Sequence, residues 1–245
     1  VPHDGANPNG GRDWAAVRVA DGHAPPHGVV WFELGLAPLP GPGDPADLRS
    51  ERRRMCPETY ADLYLRCRQA MRGVDARIRL GAVALPDMES WTQAVFDRID
   101  RDLDFGVDYA YLPTWSEDTV AGQSRVLLQA ATASAAQLQA RCAALNTLIE
   151  QLSGRSDVPW VVAEYNGHYV QSRPVPYRHT LANALRNAEH LRVLMEPRNR
   201  IALACNWHFA NGYWGLAEGY VHRGRAPALQ ANALVFELYA RHFGD

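Results

Sequence analysis

The sequence predicts an α/β fold with parallel strands, and three observations carry that reading. Short runs rich in β-branched and aromatic residues alternate with helical patterns along most of the 245 residues. The apolar share of 47% is ample for a core. No internal repeat or low-complexity linker divides the chain, so one domain spanning residues 1–245 is the simplest organisation.

The first 28 residues are rich in Gly, Pro, Asn and His and read as irregular loop, with one short helix near Trp14 to Val19. Val29 to Leu34 is the first strand. Pro38 to Pro45, with four prolines and two glycines, is a loop after it. Pro57 to Met71 opens on Pro at the first helical position, carries Leu63, Cys67, Ala70 and Met71 at helical spacing and stops at Gly73. Ile78 to Ala84 is a second strand. Trp91, Val95, Phe96, Ile99 and Leu103 then form the apolar stripe of a helix. Val107 to Leu112 is a third strand, followed by a long Ala/Leu-rich helix from Val120 to Leu152. Val158 to Glu164 and Ile201 to Trp207 are the last two strands. Between them Leu181, Leu185, Ala188, Leu191 and Met195 mark a helix, and Ala226 to His242 forms the final one.

Composition excludes several chemistries. The 25 basic residues are all arginine and face 27 acidic ones, which argues against a nucleic-acid partner held by bulk charge. Without lysine there is neither Schiff-base chemistry nor a P-loop. The arginine and alanine usage points to a GC-rich bacterial genome. Cys56, Cys67, Cys142 and Cys205 have no C-x-x-C spacing, and His23 and His27 are separated by Pro25 and Pro26, so no metal site or cofactor is expected. No apolar run approaches the roughly 20 residues needed for a membrane span. The compartment stays open between cytoplasm and exterior.

In parallel α/β proteins, active-site side chains gather at the C-terminal ends of strands. Glu164 follows the apolar run Pro159-Trp160-Val161-Val162-Ala163, and is either a nucleophile or acid/base, or a salt-bridged carboxylate at the core rim. Glu33 shares a strand face with Gly35 and Ala37. It lies inside the predicted strand and reads as a hydrogen-bonded structural carboxylate. Trp207 and Trp214 follow the last strand, where aromatic rings either stack on sugars or fill the core.

Several segments together resemble the α-L-arabinofuranosidases and related retaining glycosidases of the large (β/α)8-barrel clan, clan A. Arg18 to His27 followed by Phe32-Glu33-Leu34-Gly35-Leu36-Ala37 is similar to that family's R-x-x-N-G-H loop and its fourth strand, W-E-[IVL]-G-N-E. Pro57 to Ala61, Val74 to Leu80, and Ala163-Glu164-Tyr165-Asn166 resemble the next helix, the fifth strand and the nucleophile motif. Asp108 to Trp115 resembles the sixth strand, and Val235 to Gly244 the closing helix. The resemblance implies a TIM-barrel-like (β/α)8 fold of which only strands 4 to 8 are present, the first half lying in residues absent from this chain, being supplied by another chain that completes the barrel, or being lost in an open and altered version of the fold.

It also implies Glu164 as nucleophile, and a carbohydrate partner contacted by Glu33, Trp115, Tyr165, Asn166, Trp207 and Trp214. The departures bear on activity. Leu36 and Ala37 stand where the family has Asn and the acid/base Glu, and Pro113 stands where it has His. A retaining glycosidase needs two carboxyl groups roughly 5 Å apart, and acid/base assistance contributes about 10² to 10⁴ in rate. Alanine supplies none of it. The expectation is a glycosidase-like protein with reduced or lost activity that keeps carbohydrate binding, a pseudoenzyme in the extreme case. The alternatives are an active enzyme whose proton donor is Glu33, Glu117, Asp118, Glu218 or another group, and a structural subunit of a larger assembly.

Overall fold

The structure is a computed structural model that describes residues 13–23, 25–34, 39–40, 54–84, 86–114, 124–168, 180–210, 215–217 and 229–243. Helix α1 (Trp14–Ala20) is capped by Asp13, whose carboxylate accepts from the Ala16 N–H at 2.9 Å. Strand β1 (Trp31–Glu33) comes next, followed by two short strands, β2 (Leu39–Pro40) and β3 (Arg54–Met55), that pair with each other. Part of the proline-rich segment expected to be loop is therefore strand. Helix α2 (Pro57–Val74) leads to β4 (Arg79–Val83), α3 (Glu89–Ile99) to β5 (Phe105–Thr114), and α4 (Ser124–Ser153) to β6 (Trp160–His168). Helix α5 (Leu181–Leu194), β7 (Ile201–Asn206) and α6 (Ala231–His242) complete the order.

The five principal strands form one parallel sheet in the order β1-β4-β5-β6-β7, curled into a half-barrel. Each step is a strand, a crossover helix and a neighbouring parallel strand, the repeating unit of a (β/α)8 barrel. No helix among the described residues is long and apolar enough to cross a membrane.

Two glycines set the sheet's packing. A Cβ on Gly81 would stand 2.7 Å from Phe105 Cδ2, and its absence lets the Trp31 and Phe105 rings meet across β4 with centroids 4.8 Å apart. A Cβ on Gly106 would stand 2.6 Å from Cε3 of Trp160, the fully buried indole on the neighbouring strand. Helix α2 is tied to the sheet by two buried tyrosines four residues apart, which share a helix face. The Tyr64 hydroxyl donates to Leu80 O at 2.7 Å. The Tyr60 hydroxyl donates to Leu34 O at 3.1 Å and accepts from Val83 N at 3.0 Å, fastening the C-terminal ends of β1 and β4 together.

Helix α5 forms where expected but presents the opposite face. Leu181, Leu185 and Met195 are exposed, while Asn183, Arg186, Asn187 and His190 are buried. The physical reason is a polar network that satisfies most of those groups internally, described below. On β7 the four central residues, Ala202 to Cys205, are all exposed, and α6 exposes Leu234 and Leu238. Parallel strands ordinarily have both faces covered.

Candidate active site

The sheet's two faces carry different chemistry at its C-terminal end. One face meets the helices: Asp108 on β5 is 1% exposed and forms a bidentate pair with Arg141 of α4, at 2.7 Å from Nε and 2.6 Å from Nη2. The opposite, concave face carries Glu33, Tyr109, Tyr111 and Glu164. Glu33 aligns with Gly81, and Gly81 with Phe105, so Phe105 and Tyr109, four apart on β5, share the face of Glu33.

Glu164 reaches that face through an irregularity. Asp108 aligns with Val162, yet the next residue, Tyr109, aligns with Glu164, so β6 carries one extra residue at Ala163. Strict alternation would have put Glu164 on the side of Val162, which packs with Leu138 and Cys142 of α4 and with Val193 of α5. The bulge turns Glu164 inward and sends Tyr165 to the helix layer, where it is fully buried. The strand also continues four residues past Glu164, to His168, instead of ending there.

Two tyrosines on one strand face each hold a carboxyl group. The Tyr109 hydroxyl donates to Glu33 Oε1, and the Tyr111 hydroxyl donates to Glu164 Oε2. Glu33 is hydrogen-bonded as expected, but it is the last residue of β1 and not an interior one, because ladder pairing with β4 stops at Glu33. Burial, followed by the nearby Glu164 charge, pushes the Glu33 carboxyl up to about 7. Burial and the Glu164 hydrogen bond raise the Tyr111 phenol. Cys205 at the end of β7 is raised by desolvation and then by the charges of Glu33 and Glu164. The same mouth includes His208, lowered by desolvation against the opposing effects of the Ala210 backbone and Glu164.

The raised Glu33 value has a consequence for stability. The folded state binds this proton more tightly than the unfolded state, so its contribution is full below about 4.5 and disappears as pH rises through about 7. Wild type should therefore lose stability relative to Glu33→Gln between about pH 4 and about pH 8 in urea titrations. His190, with its depressed value, acts in the opposite sense but equally in both proteins. Parallel pH profiles for the two proteins would contradict the assignment.

Behind the site lies the α5 network. Arg186, fully buried, donates to Asn183 Oδ1 at 2.8 Å and to Asn166 Oδ1 at 3.0 Å, and its Nη1 lies 3.2 Å from His190 Nδ1. Arginine can only donate, so His190 Nδ1 is the acceptor and the ring proton sits on Nε2. That proton points to Ser134 Oγ at 2.9 Å, and Ser134 in turn donates to Ala131 O at 2.7 Å. Burial and then the Arg186 charge push His190 down to about 2, which keeps the ring neutral. The Asn166 amide, 2% exposed, donates to Trp207 O, so the network ends by fixing the chain that leaves β7.

The structure thus brings Glu33 and Glu164 to one mouth, and it places Trp207, 38% exposed, at the exit of β7. Tyr165 lies in the helix-side core. Asn166 is engaged by Arg186, Gly167 N and Trp207 O. Ala37, Trp115 and Trp214, like Glu117, Asp118 and Glu218, lie outside the described residues. Sequence reasoning misses Tyr109 and Tyr111 as site residues, although the order Asp108-Tyr109-Ala110-Tyr111 puts both on one strand face.

No family model and no curated protein matches the sequence. Solved structures do match. A family 51 α-L-arabinofuranosidase from Bifidobacterium longum is 19% identical with a TM-score of 0.69, over 95% of this chain and 49% of that one. The α-L-arabinofuranosidase of Thermotoga maritima, solved as an arabinose complex, is 19% identical with a TM-score of 0.71, over 95% and 44%. A family 51 arabinofuranosidase from Xanthomonas axonopodis pv. citri is 15% identical with a TM-score of 0.64, over 93% and 46%. This chain spans slightly less than half the length of each of these structures. Its fold is a partial (β/α)8 barrel like the corresponding part of theirs.

Proposed function

We propose that this chain is a glycoside-hydrolase-related, carbohydrate-binding protein in which Glu164 is kept as a nucleophile while turnover is reduced. The observation that carries the reading is the Tyr111–Glu164 hydrogen bond on the concave face, reached only through the bulge at Ala163. A phenol donating to one carboxylate oxygen fixes the orientation of the other, as attack on an anomeric carbon demands. Trp207 and Phe209, the latter 78% exposed, offer ring faces for a sugar beside it. Turnover is reduced because Ala37, at the position of the family's acid/base, cannot move a proton.

The test is a dinitrophenyl α-L-arabinofuranoside and a fluorinated arabinofuranosyl trap, each with and without azide. A glycosyl adduct on the peptide containing Glu164, and faster turnover in azide, are expected, with both absent in Glu164→Ala. If wild type forms no adduct and azide changes nothing, Glu164 is not a nucleophile toward furanosides.

A second reading treats the chain as one half of a barrel completed by another chain. The exposed β7 and the exposed leucines of α6 favour it, since three more β/α units would bring the five strands to eight. The two readings are compatible, because the mouth belongs to strands already present.

A further inference from the structure

We infer that Glu33 is the proton donor of this site, acting in place of the group that Ala37 cannot supply. The inference rests on Glu164 being the nucleophile and adds the second half of the reaction. Glu33 ends β1 on the same concave face as Glu164. The two carboxyl groups are held by tyrosines two residues apart on one strand, Tyr109 for Glu33 and Tyr111 for Glu164. Neither Gly35, Leu36 nor Ala37, which follow it in sequence, can exchange a proton.

The groups around Glu33 agree with this role. Tyr60 of α2 and Cys205 of β7 both feel its charge, and β4 contributes Gly81 beside it, with nothing to titrate. Among the described residues the charge acting on Glu33 itself is that of Glu164. A carboxyl group shielded from water beside an anion keeps its proton to near neutral pH, as a general acid requires. Tyr109 occupies Oε1, which leaves Oε2 to carry the proton.

The reaction balances with water as the only co-reactant. Glu164 attacks the anomeric carbon and forms a C–O bond while the bond to the leaving oxygen breaks. That oxygen takes the Glu33 proton and departs as an alcohol, leaving Glu33 as a carboxylate. Water then attacks the same carbon, Glu33 takes the proton of that water, and Glu164 is released as a carboxylate.

Dinitrophenolate leaves without a proton and methoxide does not, so the two glycosides separate the roles. On methyl α-L-arabinofuranoside, wild-type kcat/KM should fall as pH rises through about 7. Glu33→Gln should lose about 10²-fold or more on this substrate and lack that limb, while its single-turnover release of dinitrophenolate, which needs no acid, stays within a few-fold of wild type. A misfolded variant would lose both activities together, and thermal melting of Glu33→Gln checks the fold directly. Equal rates of wild type and Glu33→Gln on the methyl glycoside overturn the inference. So does a wild type that releases dinitrophenolate but never cleaves the methyl glycoside, while a Glu164 adduct in the same sample leaves the nucleophile standing. Full activity in Glu164→Ala removes the nucleophile and this inference with it.

Discussion

Trp160→Ala is expected to lower stability by about 3–5 kcal/mol, among the largest single losses this chain can suffer. The indole is fully buried between β6 and α4, and its Nε1 donates to Asn146 Oδ1 at 3.0 Å. The same Asn146 oxygen accepts from Arg200 Nε at 2.9 Å, so the ring also anchors the residue that precedes β7. What makes the prediction specific is Gly106, whose missing side chain the ring occupies. Gly106→Ala in wild type should cost about 1–3 kcal/mol, because a rigid buried ring cannot step aside. In the Trp160→Ala background the same change fills space and should cost close to nothing. A double-mutant cycle by urea denaturation therefore gives a coupling of at least about 1 kcal/mol, and additive losses would show that the two positions do not share this space.

Arg141→Ala is the second large effect, expected at about 3–5 kcal/mol. The substitution removes two short donors and a positive charge from Asp108, a carboxylate with 1% exposure. The double replacement Arg141→Met with Asp108→Asn should cost less than the single change, since it removes the buried charge together with its counter-ion. Chemical denaturation of the three proteins orders them. If Arg141→Ala costs under about 1 kcal/mol, the pair is not holding α4 to β5. Because Asp108 precedes Tyr109 directly, loosening it should also disturb the donor to Glu33.

Much of the architecture is legible in the sequence, and particular residues show why. A strand buried on both faces leaves a continuous apolar run, so Pro159 to Ala163 is visible without periodicity, and Ile201 to Cys205 is as apolar although its central residues are exposed. Proline at the start of α2 fixes its first residue. Helix α5 is different: its leucines and its Asn/Arg/His positions both recur at helical spacing, and hydrophobicity alone chooses the wrong face. The buried choice depends on partners contributed by Ser134 and Asn166, which are distant in sequence. Glu164 is legible as a candidate from its apolar approach, but the face it occupies is not, because a bulge leaves no mark on composition. Glu33 is misplaced within its strand for a related reason: the end of β1 is decided by where pairing to β4 stops.

The extra residue at Ala163 means that the acidic group at this mouth is positioned by counting. Both neighbouring strands register the same surplus, β5 before Tyr109 and β7 before Asn206. Insertions and deletions within β6 therefore act on chemistry in a way that substitutions do not. A regular, unbulged pairing of the same sequence would set Ala163 opposite Tyr109 and turn Glu164 to the helix layer, so register alone decides which residue the mouth presents.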